Sequence, residues 1–234
     1  MNEQSNIEAL HPLLQQALVS GSAVFNMDCI EFMKQVPDKF FHLAIVDPPY
    51  GINAGRRRGD TGRNGHIKQK DYKYGEWDSK TPDAEYFIEL FRVSKNQIVW
   101  GGNYFGLPAS NCWLVWNKKN GENLYADCEL AWTSFDTAVR MFEWRWHGFL
   151  QEKAGEHKQQ RIHPTEKPFE LYRWILQNYS SEGDLILDTH LGSGSSRIAA
   201  HKEKRVFCGL EIDKDYFEAQ EARWKNLTAQ LPIF

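Results

Sequence analysis

A chain of 234 residues has room for one well-filled α/β domain and is short for two. Its net charge of −3 excludes a molecule that binds nucleic acid through overall positive charge, so any such surface must be local. No apolar stretch reaches the roughly 20 residues of a membrane span, and Met1–Asn6 lacks the basic and apolar regions of a signal peptide, so a cytoplasmic protein is expected.

In chain order, the pattern predicts a helix over Ile7–Val19, a strand over Ser22–Asn26 and a helix over Asp28–Gln35. The run Phe40-Phe41-His42-Leu43-Ala44-Ile45-Val46 reads as a strand buried on both faces. At its carboxyl end stands Asp47-Pro48-Pro49-Tyr50. The first proline drives Asp47 into extended backbone, and neither proline has an N–H to compete for nearby carbonyls. The tip therefore offers a carboxylate, a fixed carbonyl and a phenol ring, which suits a planar amine such as the amino edge of a nucleobase.

Residues 51–81 form a glycine-rich loop. From Gly55 to Lys73, Arg56, Arg57, Arg58, Arg63, Lys68, Lys70 and Lys73 stand against Asp60 and Asp71, seven bases to two acids. Such a loop is either a solvated flexible segment or one that grips phosphates. Its place beside the tip favours the second reading, with Arg56, Arg57, Arg58, Arg63, Lys68 and Lys70 as DNA-binding candidates.

Pro82 is expected to open a helix ending near Val93, with Thr81 as its N-cap. Strands follow at Asn96–Gly101, Cys112–Trp116, Cys128–Ser134 and Ala138–Trp146, the last three antiparallel at the sheet edge. Periodicity fades over Gly148–Arg161. Beyond it come a helix at Phe169–Tyr179, a strand at Asp184–Asp188, a helix at Ser195–Lys202, a strand at Arg205–Ile212 and a closing helix at Asp213–Leu231. The alternation implies a doubly wound, mainly parallel sheet within a single domain, 1–234. Cys29, Cys112, Cys128 and Cys208 show no Cys-x-x-Cys spacing and read as reduced core thiols, with no metal site.

A second motif, Asp188-Thr189-His190-Leu191-Gly192-Ser193-Gly194-Ser195-Ser196, joins a buried strand to a helix. Gly192 and Gly194 permit a tight turn and close ligand approach. Glu211 ends the next strand, where an acid can accept both hydroxyls of a ribose. A nicotinamide fingerprint needs a third glycine where this chain has Arg197, so the loop better fits a nucleoside cofactor without a pyrophosphate. S-adenosylmethionine is such a cofactor.

The Asp-Pro-Pro-Tyr tip, the Gly-x-Gly loop, Glu211 and His163-Pro164-Thr165-Glu166-Lys167-Pro168 together resemble the amino-methyltransferases of DNA. The tip precedes the cofactor loop, as in their permuted β group. The resemblance covers about Ser22 to Leu231; its main departure is His190, where the family usually has an aromatic after Asp-Pro. It implies a Rossmann-like, seven-stranded methyltransferase sheet with circularly permuted motif order, in which the strands of Asp47 and Asp188 are central neighbours.

It also implies roles. Asp47, Pro48, Pro49 and Tyr50 form the catalytic tip, with Asp47 and the Pro48 carbonyl taking the amine and Tyr50 stacking on a base flipped from the duplex. Asp28, Cys29, Lys167, Asp188, Leu191, Gly192, Gly194, Ser195, Ser196 and Glu211 form the cofactor side. Asp28 belongs near the adenine, Lys167 near the methionine carboxylate or, blandly, on the surface at a helix start, and Glu211 at the ribose. The expected activity is site-specific adenine-N6 methylation of double-stranded DNA, because cytosine-N4 enzymes more often carry serine in place of Asp47. Cytosine-N4 methylation, RNA or glutamine-amide methylation and a non-catalytic DNA-binding relative are the alternatives. Residues 117–161 are the short segment for target recognition, where Trp144 and Trp146 either reach bases or belong to the core. A homodimer and a restriction endonuclease partner are both compatible with the resemblance, and the sequence fixes neither.

Overall fold

The structure, a computed structural model, describes residues 12–53, 78–121, 126–147, 150–152, 162 and 165–229. The six basic residues Arg56, Arg57, Arg58, Arg63, Lys68 and Lys70 lie outside the described residues, as do His163 and Pro164.

Six helices are described: α1 Pro12–Ser20, α2 Cys29–Met33, α3 Ala84–Val93, α4 Phe169–Tyr179, α5 Ser195–Lys202 and α6 Lys214–Ala229. The strands are β1 Ser22–Phe25, β2 Phe41–Val46, β3 Ser94–Trp100, β4 Trp113–Asn117, β5 Cys128–Thr133, β6 Arg140–Glu143, β7 Trp146–His147, β8 Leu150–Gln151, β9 Leu185–Asp188 and β10 Val206–Leu210. Eight of them make one sheet in the order β1-β10-β9-β2-β3-β5-β4-β6, one strand more than expected. From β1 through β3 every pairing is parallel.

The apolar run of β2 explains the layering. Ala44 and Val46 point into one core with Leu14, Phe32, Tyr86 and Leu90, while Leu43 and Ile45 point into the other with Trp100, Leu171, Ile175 and Ala199. A period of two with both faces apolar puts β2 in the middle of the sheet. There it pairs with β9 through Leu43–Ile186 and Ala44–Leu187. Strand order runs outward in opposite directions from this β9–β2 junction, which opens a crevice at the carboxyl ends of both strands. The expected central neighbours are therefore found together, ending in Asp188 and leading to Asp47.

Three local expectations change. Helix α3 begins at Ala84, because Asp83 is still extended (φ −72°, ψ 164°) and stands as the N-cap in place of Thr81. The expected strand Ala138–Trp146 is broken into β6 and the two-residue β7, which pairs with β8 in a separate ribbon. Strand β6 also runs parallel to β4, since residues 134–139 carry the chain from the end of β5 around the start of β4. Among the described residues no helix is long and apolar enough to cross a membrane.

Candidate active site

The chain leaves β2 at Asp47 and turns at once, and a residue far along the sequence holds that turn. Oδ1 of buried Asp78 accepts the backbone N–H groups of Tyr50 at 2.6 Å and Gly51 at 2.9 Å, and the Asp78 carbonyl accepts Asn53 N–H at 2.9 Å. On the other side the Tyr50 ring lies against Gly101, the residue after β3. Gly101 has φ +68°, and a Cβ there would come within 2.2 Å of the ring, so only glycine fits. Tyr104 stacks on Tyr50 with centroids 5.1 Å apart, and Phe105 meets it edge-on at 6.2 Å. The Tyr50 hydroxyl donates to Asp47 Oδ1 at 2.5 Å. Burial, then the Asp47 carboxylate, keeps this phenol protonated well above the usual tyrosine range.

Lys167 reaches the same carboxylate from the segment before α4. Its Nζ is 2.5 Å from Asp47 Oδ2, 3.2 Å from the Tyr50 oxygen and 3.3 Å from Glu129 Oε2. Burial alone would pull Lys167 toward neutrality, but the carboxylates of Asp47 and Glu129 outweigh it and hold the ammonium above its ordinary value. Burial likewise opposes ionisation of Glu129, and Lys167 and Lys118 overcome it.

The glycine loop lies across the crevice. Gly192 and Gly194 both have positive φ, 52° and 72°. Asp188 sits beneath the turn, with Oδ2 accepting the Ser196 hydroxyl at 2.5 Å and Oδ1 accepting the His190 N–H at 3.1 Å. Burial pushes its carboxyl up to about 7. Glu211 Oε2 accepts Gly192 N–H at 2.8 Å and Oε1 accepts Asp213 N–H at 2.9 Å, and burial raises this carboxyl too. A backstop completes the loop: Arg223 of α6 donates to the Ser193 carbonyl, the Ser195 hydroxyl and Glu166. Arg197 packs between α5 and α6, bonded to Ser22, Gln220 and Glu221 with its guanidinium 4.1 Å from the centre of the Trp224 ring. An arginine used in this way leaves no close glycine contact of the dinucleotide kind.

Both motifs open on one cavity of about 260 Å³, lined by Asp47 and Pro49 on one side and by Leu191, Gly192, Ser193 and Glu211 on the other, with Lys167, Tyr172 and His190 between them. Of the residues expected at the cofactor, Leu191, Gly192, Glu211 and Lys167 line it. Asp188, Ser195 and Ser196 support the loop from below. Gly194, the left-handed N-cap of α5, turns the chain into that helix. Asp28 caps α2, accepting the N–H groups of Ile30 and Glu31, and neither it nor Cys29 lines the cavity. The Cys29 thiol is pushed up to about 12 by burial and by Asp28.

His190, which departs from the expected aromatic, behaves as a neutral ring. Burial lowers it to about 4, and it lies edge-on to Tyr86, whose hydroxyl shares a hydrogen bond with Thr189. Trp146 is core, with its indole N–H on the Glu166 carbonyl, and Trp144 is half-buried, stacked on Phe142. Sequence reasoning missed Asp78, Glu129, Tyr104, Tyr172 and Arg223. Each reaches the site across the fold, and the only local trace is an acid inside an apolar strand, Glu129 between Cys128 and Leu130.

Residues 113–222 match the DNA methylase family of N6 and N4 methyltransferases. The chain is 23% identical to the type II methyltransferase M2.MboI of Moraxella bovis, over 89% of each chain. It superposes on the PvuII DNA methyltransferase (cytosine-N4-specific) with a TM-score of 0.56, at 14% identity, over 87% of this chain and 86% of that one. With M1.HpyAVI, solved as a SAM complex, the TM-score is 0.51 at 18% identity, over 86% of this chain and 99% of the other. The tip and the glycine loop share one cavity at the switch in strand order, and the chain is similar to the DNA methyltransferases that act on adenine N6 or cytosine N4.

Proposed function

We propose that the protein transfers a methyl group from S-adenosylmethionine to the N6 amine of an adenine extruded from double-stranded DNA. The observation that carries this reading is the shared cavity, with an amine-accepting carboxylate, Asp47, at one end and a ribose-accepting carboxylate, Glu211, at the other. The residues suit the cofactor. Glu211 has one backbone N–H on each oxygen and lone pairs left for a diol, and exposed Ile212 lines the cavity beside it as an apolar surface for a purine. Bound there, S-adenosylmethionine supplies an electrophilic sulfonium methyl.

The chain's own residues do the rest by placement. An exocyclic amine delocalises its lone pair into the ring and is a poor nucleophile. Hydrogen bonds from its N–H groups to Asp47 and the Pro48 carbonyl draw the nitrogen toward tetrahedral geometry and aim the lone pair at the methyl. The amine becomes acidic as it is methylated, so Asp47 need not be a strong base. Tyr50 is stacked under Tyr104, and the exposed Tyr104 ring offers the outer aromatic surface of this pair to an extruded base.

Asp47 as the first residue of the tip supports adenine over cytosine. The similarity to type II methyltransferases supports a restriction–modification setting, with an endonuclease partner and a homodimer as the companions to look for. The test is expression in cells that lack DNA methylation, followed by digestion of the DNA to nucleosides and mass analysis. N6-methyladenine is the expected product. N4-methylcytosine would overturn the base assignment, and neither product, with the cofactor bound, would make the protein a non-catalytic relative.

A further inference from the structure

An ammonium group has three N–H donors and no acceptor. Those of Lys167 face three acceptors at 2.5, 3.2 and 3.3 Å: Asp47 Oδ2, the Tyr50 oxygen and Glu129 Oε2. The Tyr50 oxygen takes a hydrogen bond and the two carboxylates form ion pairs, Glu129 Oε2 without a hydrogen bond, so the ammonium is already charge-compensated by the protein. The side chain is 3% exposed, and the rings of Tyr50 and Trp100 lie 5.7 and 5.4 Å from Nζ, so water does not compete for it. Behind it, Glu129 is paired with Lys118, whose own ammonium lies 5.0 Å from the Trp116 ring centre. A row of alternating charge, Asp47–Lys167–Glu129–Lys118, thus runs from the tip after β2 across β3 to β5 and the end of β4.

We propose that Lys167, steadied by Glu129, is a positioning residue for Asp47 and not a ligand of the cofactor. This rests on the reading that Asp47 receives the amine. A carboxylate free to turn about its Cβ–Cγ bond spreads its lone pairs over many directions, whereas the transfer needs one direction. Lys167 on Oδ2 and the Tyr50 hydroxyl on Oδ1 fix the carboxylate plane. Each oxygen keeps a lone pair for the amine on the cavity that Asp47 lines. Neither Lys167 nor Glu129 acts on the amine directly; both act through Asp47. The strong ammonium character of Lys167 despite its burial agrees with a permanent ion pair.

The test compares Lys167→Met, Glu129→Gln and the double variant in the full chain. S-adenosylmethionine affinity is measured by calorimetry, and the binding stoichiometry counts the folded fraction. Turnover at saturating cofactor and DNA is then expressed per folded molecule. Turnover should fall about 100-fold in Lys167→Met and about 10-fold in Glu129→Gln, with cofactor Kd within about threefold of wild type in both. The double variant should be no slower than Lys167→Met, because Glu129 acts through Lys167. Cofactor Kd weakened about tenfold or more with turnover intact would put Lys167 at the cofactor and overturn the proposal, as would unchanged turnover in both variants. Should Lys167→Met bind no cofactor because it does not fold, Glu129→Gln decides by the same criteria. The wild-type control separates the two claims. No methylated nucleoside from wild type refutes the proposed activity, whereas product from wild type with unaltered variants refutes only the positioning role.

Discussion

At the glycine-loop end of the cavity, Glu211 and Asp188 meet only neutral donors: the N–H groups of Gly192, Asp213 and His190 and the Ser196 hydroxyl. At the tip end, Asp47 and Glu129 meet lysines, Lys167 and Lys118. The electrostatic consequences are opposite. Burial raises Glu211 and lifts Asp188 to about 7, whereas the two lysines hold Glu129 below its ordinary value despite its burial. One end is shaped by backbone and leaves its carboxylate ready for a polar ligand. The other is charge-compensated, with Lys167 on one oxygen of its carboxylate and the Tyr50 hydroxyl on the other.

Variants at the two ends should therefore fail in different ways. The largest effect is expected for Asp47→Ala, which should lower methyl transfer about 1,000-fold while cofactor Kd stays within about threefold, as measured by labelled-methyl transfer and calorimetry. Glu211→Gln should do the converse. Losing charge-assisted hydrogen bonds to the ribose should weaken cofactor binding about 30-fold, with turnover at saturation near wild type. A turnover defect without an affinity defect would erase the distinction between the ends.

Asp78→Ala sharpens the comparison from behind the tip. It leaves the N–H groups of Tyr50 and Gly51 without their acceptor, so urea unfolding should report a loss of about 1–3 kcal/mol. Transfer should drop while cofactor binding persists. The smallest change is expected for His190→Phe, since a neutral ring already occupies that place. The folded-state value of His190, about 4, lies below the ordinary 6.5, so the unfolded chain takes up the proton first as pH falls. Its contribution to stability is complete above about pH 6.5 and is lost toward pH 4. Urea unfolding at pH 8, 6 and 5 should show a shallower decline for the phenylalanine variant, and equal declines would contradict a buried neutral histidine.

What the sequence disclosed follows from how local each signal is. The period-two apolar run of β2 announced a central strand, and α4 and α5 begin and end at the expected residues because a proline and the glycine loop punctuate them. That Gly192 and Glu211 would lie on one cavity could be expected from a short spacing. Lys167 could be singled out from its motif, and it does line the cavity, but its pairing with Glu129 could not, since that contact depends on β5 lying next to β3. Asp78 was hidden for the same reason: it is paired with Tyr50 across 28 positions of sequence. The parallel edge strand β6 escaped because a short connection suggests a hairpin, and only packing sends the chain around β4.

The central claim is that one cavity holds a methyl donor and a target amine at its two ends, and a single ligand that spans both tests it most directly. An adenosine joined through N6 to the methyl position of the cofactor should bind more tightly than S-adenosylhomocysteine in calorimetry. Asp47→Ala and Glu211→Gln should each weaken that conjugate about tenfold or more, while S-adenosylhomocysteine responds to Glu211→Gln alone. A conjugate that binds no better than S-adenosylhomocysteine and ignores Asp47→Ala would contradict a shared cavity.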